Sequence, residues 1–146
     1  MGREILFRAK RIDNEEWVEG CLLIDYVSGQ YFIHASGNSV NESDKVNEDG
    51  CLKFFSFEID PKTVCQYTGL IDETEKKIYE GDIVKTSQYG VDDGNGHNYA
   101  GFDTFSVKFS DGGFCLKNEW RIFNLRPLGN FEVIGNIFDD PELIED

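Results

Sequence analysis

The chain has 146 residues, 28 acidic and 14 basic side chains, and a formal net charge of −14. That length is one ordinary domain or two very small ones, long enough to bury a core without a covalent staple. Aromatic content of 14%, including 12 Phe, argues against disorder; the acidic balance disfavours general duplex binding; and neither an 18-residue apolar run nor a long apolar region within the N-terminal MGREILFRAK is present, so no membrane span and no signal peptide are expected.

Residues 3–11 form the only basic stretch, with four basic and one acidic side chain, net +3, which leaves −17 on the rest of the chain. Ile5, Phe7 and Ala9 alternate there with Leu6, Arg8 and Lys10, a period of two that predicts a first strand. Its cations Arg8, Lys10 and Arg11 are candidate contacts for nucleic acid or for the acidic surface of a neighbouring subunit. The competing reading is a sheet-edge strand whose charges prevent association. Asp13-Asn14 signals a turn. Trp17 to Ile24 predicts a second strand bent at Gly20, Ser28-Gly29 a turn, and Gln30 to Ile33 a third strand. His34 continues that apolar run and reads as a strand residue rather than a ligand. Residues 35–50 are polar and aperiodic, a long loop of the kind that is usually functional or mobile. Cys51 to Ile59 returns to an apolar pattern, Asp60-Pro61 is a turn or cap, and Thr63 to Tyr67 fits either a short strand or one helical turn.

From Tyr67 to Lys85 the pattern is denser. Gly69 is expected to break the chain. Ile78-Tyr79 and Ile83-Val84 flank Glu80-Gly81-Asp82, where glycine permits a sharp bend and the Asp side chain can bond neighbouring amides. Glu80 and Asp82 have the spacing of an acid–base pair on one side of a strand, although a bend with solvent-facing acids is the first reading. Residues 86–104 form a second long polar stretch, and its Asp92, Asp93, Asn95 and Asp103 do not fit the register of a calcium loop. Phe105, Val107 and Phe109 alternate up to Ser110-Asp111-Gly112-Gly113, the clearest hairpin in the chain. Trp120 to Leu125 predicts a strand ended by Pro127, and Phe131 to Phe138 a last strand interrupted by Gly135. Asp140-Pro141 then opens a single helical turn with Glu142 near its positive end.

No window sustains a 3.6-residue apolar period, so the fold class is mainly β: small, strongly bent sheets or SH3-like barrels, closed by a short C-terminal helical turn. Glu15 to Leu23 and Lys76 to Val84 share a pattern at an offset of 61 residues. If more than chance, that echo means two β-lobes of about residues 1–60 and 61–146, each with a glycine-bent strand at the same place. Cys21, Cys51, Cys65 and Cys115 have no CxxC spacing and read as reduced, buried small hydrophobes. His34 and His97 are the only histidines, so no catalytic, metal or cofactor assembly is expected.

Three blocks together carry a resemblance. The opening is Arg3 to Lys10 followed by Trp17-Val18-Glu19-Gly20. The central block is Gln66-Tyr67-Thr68-Gly69-Leu70 with Lys77-Ile78-Tyr79-Glu80-Gly81-Asp82-Ile83-Val84. The close is Val133-Ile134-Gly135-Asn136-Ile137-Phe138 with Pro141-Glu142-Leu143. The chain resembles the YopX family of bacteriophage and prophage proteins from end to end, with the two polar loops as its variable parts. Thr74-Glu75 departs from the Asn-Gly-like turn common in the family before Lys76-Lys77, which bears on the turn type. The resemblance implies a phage or prophage origin, a bacterial cytoplasmic setting, a mainly β fold and a ring-like homo-oligomer, with a hexamer as the size considered. It implies no activity and carries over no catalytic or binding residue. The expected function is therefore a non-catalytic oligomeric accessory protein that binds a phage or host protein. Nucleic-acid association through the basic first strand is the alternative, and an enzyme is disfavoured.

Overall fold

The computed structural model describes residues 4–35, 55–86, 103–119, 122–125 and 131–144. The described strands are β1 (Phe7–Lys10), β2 (Trp17–Asp25), β3 (Gln30–Ala35), β4 (Phe55–Ile59), β5 (Cys65–Ile71), β6 (Lys77–Tyr79), β7 (Asp82–Thr86), β8 (Asp103–Ser110), β9 (Gly113–Lys117), β10 (Ile122–Asn124) and β11 (Phe131–Asn136). Hydrogen-bonded neighbours run β4-β3-β2-β1-β5-β6 in one sheet and β10-β9-β8-β7-β11 in the other. The mainly β expectation holds, as bent open sheets and not as a closed barrel. The chain divides into two compact units, Met1–Tyr67 and Thr68–Asp146, the division falling within β5. Most of the two long polar stretches, with Cys51, Asp92, Asp93, Asn95 and His97, lies outside the described residues, as do Arg3, Trp120 and Pro127.

In the first unit the period-two pattern sorts side chains between two faces. Ala9 pairs with Val18, Leu22 with Ile33, and Ile33 with Phe57. These registers stack Ala9, Val18, Ile33, Ala35 and Ile59 into a buried cluster, with Phe7, Leu22, Tyr31, Phe57 and Val64 packed against it. Fully burying an aliphatic side chain of this kind is worth about 1.5–3 kcal/mol. β1 is an interior strand: Arg8 pairs with Glu19 of β2 on one side and Cys65 of β5 on the other. The edge-strand reading is thereby corrected. Phe7 and Ala9 supply core contacts, and both edges of the strand are bonded. The sheet also curls, so that Arg11 bridges Ile59, the Ile12 amide donates to the Glu58 carbonyl at 3.1 Å and the Asp60 amide to the Lys10 carbonyl at 2.9 Å. Gly20 lies within β2, where a Cβ would stand 2.3 Å from the His34 carbonyl oxygen of β3. Only glycine lets these strands approach so closely.

Side-chain acceptors set the turns of this unit. Asn14 Oδ1 accepts the Glu16 amide at 3.0 Å. Asp25 Oδ1 accepts the amides of Val27 at 2.9 Å and Ser28 at 3.3 Å. Asp60 caps the short 3-10 turn Pro61–Thr63 by accepting from the Lys62 amide at 3.0 Å. After that turn the chain enters β5, which resolves the strand-or-helix ambiguity at Thr63 to Tyr67 into one of each.

In the second unit Ile78, Val84, Phe105, Val107, Leu116 and Val133 form the core, joined by Leu70, Leu125 and Phe131. The β8–β9 hairpin turns on Asp111 and Gly112, with φ of 52° and 81° and Ser110 opposite Gly113. Positive φ at both central residues is the turn geometry whose twist matches the flanking strands. Gly69 has φ of 90° yet does not break the chain, since β5 continues through it to Ile71. Pro141–Leu143 forms a 3-10 turn, but Asp140 makes no side-chain cap on it. Its carboxylate reaches back to the Asn136 amide at 3.2 Å, so the helix-start grammar is read correctly in place and wrongly in mechanism. The sequence echo is not a structural one: Gly20 lies inside β2, whereas Gly81, with φ of 85°, sits in the turn between β6 and β7.

Candidate interaction surfaces

The basic strand separates into two environments. Arg8 and Lys10 alternate to the face opposite the core, where both meet Trp17 of β2. The Arg8 guanidinium carbon lies 4.8 Å, and the Lys10 Nζ 5.5 Å, from the indole centroid. Such contacts are worth about 0.5–1 kcal/mol each at partly exposed sites. Arg11 has the opposite parity. Its guanidinium carbon sits 4.2 Å from the Phe57 ring centroid and its head makes a two-bond pair with Asp13, Nε to Oδ1 at 2.8 Å. The Arg11 hydrogen bond holds the Asp13 carboxyl below the ordinary carboxylate value. The three predicted cations are thus two and one. On the Trp17 face, register also places Cys21, Leu23 and His34, the last with Nδ1 3.0 Å from Ser56 Oγ. Cys21 is exposed, which corrects its reading as a buried hydrophobe, while Cys65 and Cys115 are buried as expected.

The acids singled out by the acid–base spacing do not form a pair on one strand. Glu80 is in the β6–β7 turn, whereas Asp82 opens β7 at 1% exposure and accepts the Tyr79 amide at 2.7 Å through Oδ2. The Gly81 amide donates to the Val107 carbonyl at 2.8 Å and its carbonyl accepts the Ile137 amide at 2.9 Å. Glu80-Gly81-Asp82 is therefore a tie between β8 and the end of β11.

Asp72, which the sequence analysis did not single out, is the more extensive node. It is 5% exposed. Its Oδ1 accepts the Thr74 amide at 2.8 Å, the Thr74 hydroxyl at 2.6 Å and the Lys76 amide at 2.9 Å. Its Oδ2 accepts the Val133 amide of β11 at 2.9 Å. Burial by itself would raise this carboxyl; the Thr74 hydroxyl and the Val133, Lys76 and Thr74 amides together outweigh it and hold the group below the ordinary value. The Asp-x-Thr spacing was the available signal for the local half of this node. These bonds also hold the departed family turn: Glu75, a non-glycine residue, takes φ of 69° there.

Among the described residues the largest apolar exposure lies at the β2–β3 turn, where Tyr26 is 87% and Val27 99% exposed. Sequence reading missed this pair, whose signal was its place just before Ser28-Gly29. In the second unit an open groove of about 610 Å3 beside the β8–β9 turn is lined by Ser110, Asp111, Gly112, Gly113 and Asn124 together with Phe114, Cys115, Ile122 and Leu125. Among the described residues no group of three or more His, Cys, Asp or Glu is placed to hold a metal ion, and no helix is long and apolar enough to cross a membrane.

Residues 6–145 match the family model described as YopX protein. In the solved structures the chain is similar to the crystal structure of protein EF1440 from Enterococcus faecalis, with a TM-score of 0.53 and 22% identity, over 99% of this chain and 100% of that one. At that identity the likeness is one of fold. No curated protein matches the sequence.

Proposed function

The chain belongs to the YopX family, and we propose that it is a non-catalytic accessory protein of phage or prophage origin, acting in the bacterial cytoplasm as a homo-oligomer, a hexamer being the size considered, that binds a phage or host protein. The observation that carries this reading is the exposed apolar pair Tyr26-Val27, held out on a turn that Asp25 fixes. Large apolar side chains on a preorganised turn suit association, since little conformational entropy is lost when they are covered. The acidic groups Asp72 and Asp82 are engaged by backbone amides, a framework role. Light scattering on the purified chain tests the oligomer: the expected mass is a multiple of 16.7 kDa, and a single 16.7 kDa species up to high micromolar concentration would contradict it.

A second reading is supported by one arrangement. Arg8 and Lys10 lie over the half-buried Trp17, a combination of cations and indole that suits a single strand of nucleic acid. Arg11, paired with Asp13 on the other side, contributes less to that surface. Binding to labelled single-stranded DNA at low salt, lost in Lys10→Glu, is the expected result under this reading, because such binding is strongest there. No binding at low salt overturns it.

A further inference from the structure

Cys21, His34 and Ser56 form one row across β2, β3 and β4. Cys21 pairs with His34, and His34 with Ser56. Direct cross-strand partners share a face of the sheet, with Cβ atoms about 4.5–5.5 Å apart. The shared face is the one opposite the core, and Cys21 is exposed on it. Cys65 and Cys115 are buried, the setting in which thiols are inert.

The row orders the imidazole. His34 Nδ1 lies 3.0 Å from Ser56 Oγ, on the β4 side of the ring. The Cδ2–Nε2 edge is therefore turned to the β2 side, where Cys21 stands. When Nδ1–H donates to the Ser56 hydroxyl, Nε2 carries the lone pair and is the basic nitrogen. The strands are held close beside this pair: Gly20, next to Cys21, packs on the His34 carbonyl with no room for a Cβ. A thiol, an imidazole across from it and a hydroxyl that fixes the imidazole from behind are the parts of an activated nucleophile.

The next row has a different character. Leu23 pairs with Phe32 on the same face; Leu23 is 47% exposed and Phe32 half-buried. They place apolar surface beside the thiol, where an apolar or aromatic group can rest while an atom attached to it meets Sγ. Glu19, the acid two residues before Cys21 on this face, is set opposite Arg8.

We propose that Cys21 is a covalent modification site for small disulfides bearing apolar groups, with His34 as the base and Ser56 as the residue that positions it. The Cys21 thiol gives its proton to His34 Nε2 as Sγ attacks one sulfur of the disulfide. A new S–S bond joins Cys21 to that sulfur, the original S–S bond breaks, and the leaving sulfur takes the proton from His34. The small disulfide is the oxidant, and each chain yields one mixed disulfide and one small thiol. The chain is modified once and does not turn over, so the site stands beside the accessory role and does not depend on the oligomer.

The test is the rate of reaction with a neutral dipyridyl disulfide at neutral pH. Labelling is read peptide by peptide in a mass spectrometer, so that Cys21 is followed separately from Cys51, Cys65 and Cys115. Cys21 in the folded chain is expected to react about tenfold or more faster than in the urea-unfolded chain, a modest part of what a positioned base contributes. His34→Gln is expected to lose about tenfold and Ser56→Ala about threefold, whereas Ser56→Thr, which keeps the hydroxyl, stays close to wild type. The variants are compared once circular dichroism shows them folded, and if His34→Gln does not fold, the folded and unfolded wild type decide the question. A Cys21 rate no greater in the folded than in the unfolded chain, or one that His34→Gln leaves unchanged, overturns the proposal.

Discussion

Single residues carry most of the geometry of the second unit. Asp72 accepts four hydrogen bonds, three that shape its own turn and one that fixes β11 from 61 residues away. In Asp72→Asn one oxygen becomes a donor and must face a backbone amide. The expected cost is about 1–3 kcal/mol at neutral pH, read as a lowered urea midpoint. Because the folded carboxyl is held below its unfolded value, its contribution is fully present above the unfolded pKa and is lost as pH falls through the folded one. The gap between wild type and Asp72→Asn should therefore close as pH falls through that folded value, and a gap that widens in acid contradicts the assignment. Glu75 shows the reverse situation. It occupies the left-handed region at φ of 69°, which costs an ordinary residue roughly 1–2 kcal/mol that glycine largely avoids. Glu75→Gly is accordingly expected to stabilise the chain by about 0.5–1 kcal/mol in urea titrations, and an equal loss would contradict the reading.

At the scale of elements, the strands show what was legible and what was not. The β8–β9 hairpin was readable because Asp-Gly between alternating apolar residues specifies its turn locally. The fate of Arg8, Lys10 and Arg11 was also implicit in the period of two, which sends Arg11 to the face opposite its neighbours. What pattern could not supply is the partner of each edge, so β1 looked like an edge strand until its two pairings were seen. The Asp72–Val133 bond was invisible for the same reason: its two ends are far apart in sequence and neither end signals the other. That Gly20 is special was legible, and what the structure shows there is a close approach to another strand. Gly20→Ala therefore tests packing: the obstructing atom is the His34 backbone carbonyl, 2.3 Å from the added carbon, which cannot rotate away. A loss of about 1–3 kcal/mol is expected, and an unchanged urea midpoint would show that the strands separate freely there.

For the whole molecule, the residues that carry the family resemblance do largely structural work. Gly81 and Asp82 tie the β6–β7 turn. Asn136 accepts the amides of Phe138 and Asp139 through Oδ1, and Asp140 sits against Gly135. Such positions explain why the fold is readable while an activity is not: they specify turns and ties, and a turn is compatible with many functions. The features that bear on association are of another kind. The Tyr26-Val27 tip owes its meaning to exposure, which periodicity does not report, and its nearest sequence signal was an apolar pair before a turn.

Association through this tip is best tested by amide hydrogen exchange on the unmodified chain, compared between dilute and concentrated solution. Coverage by a second copy slows exchange only where the contact forms, while global stability raises protection everywhere. The expected result is protection that grows with concentration at residues 25–29, leaving the core strands unchanged. Exchange independent of concentration at that segment would contradict the account.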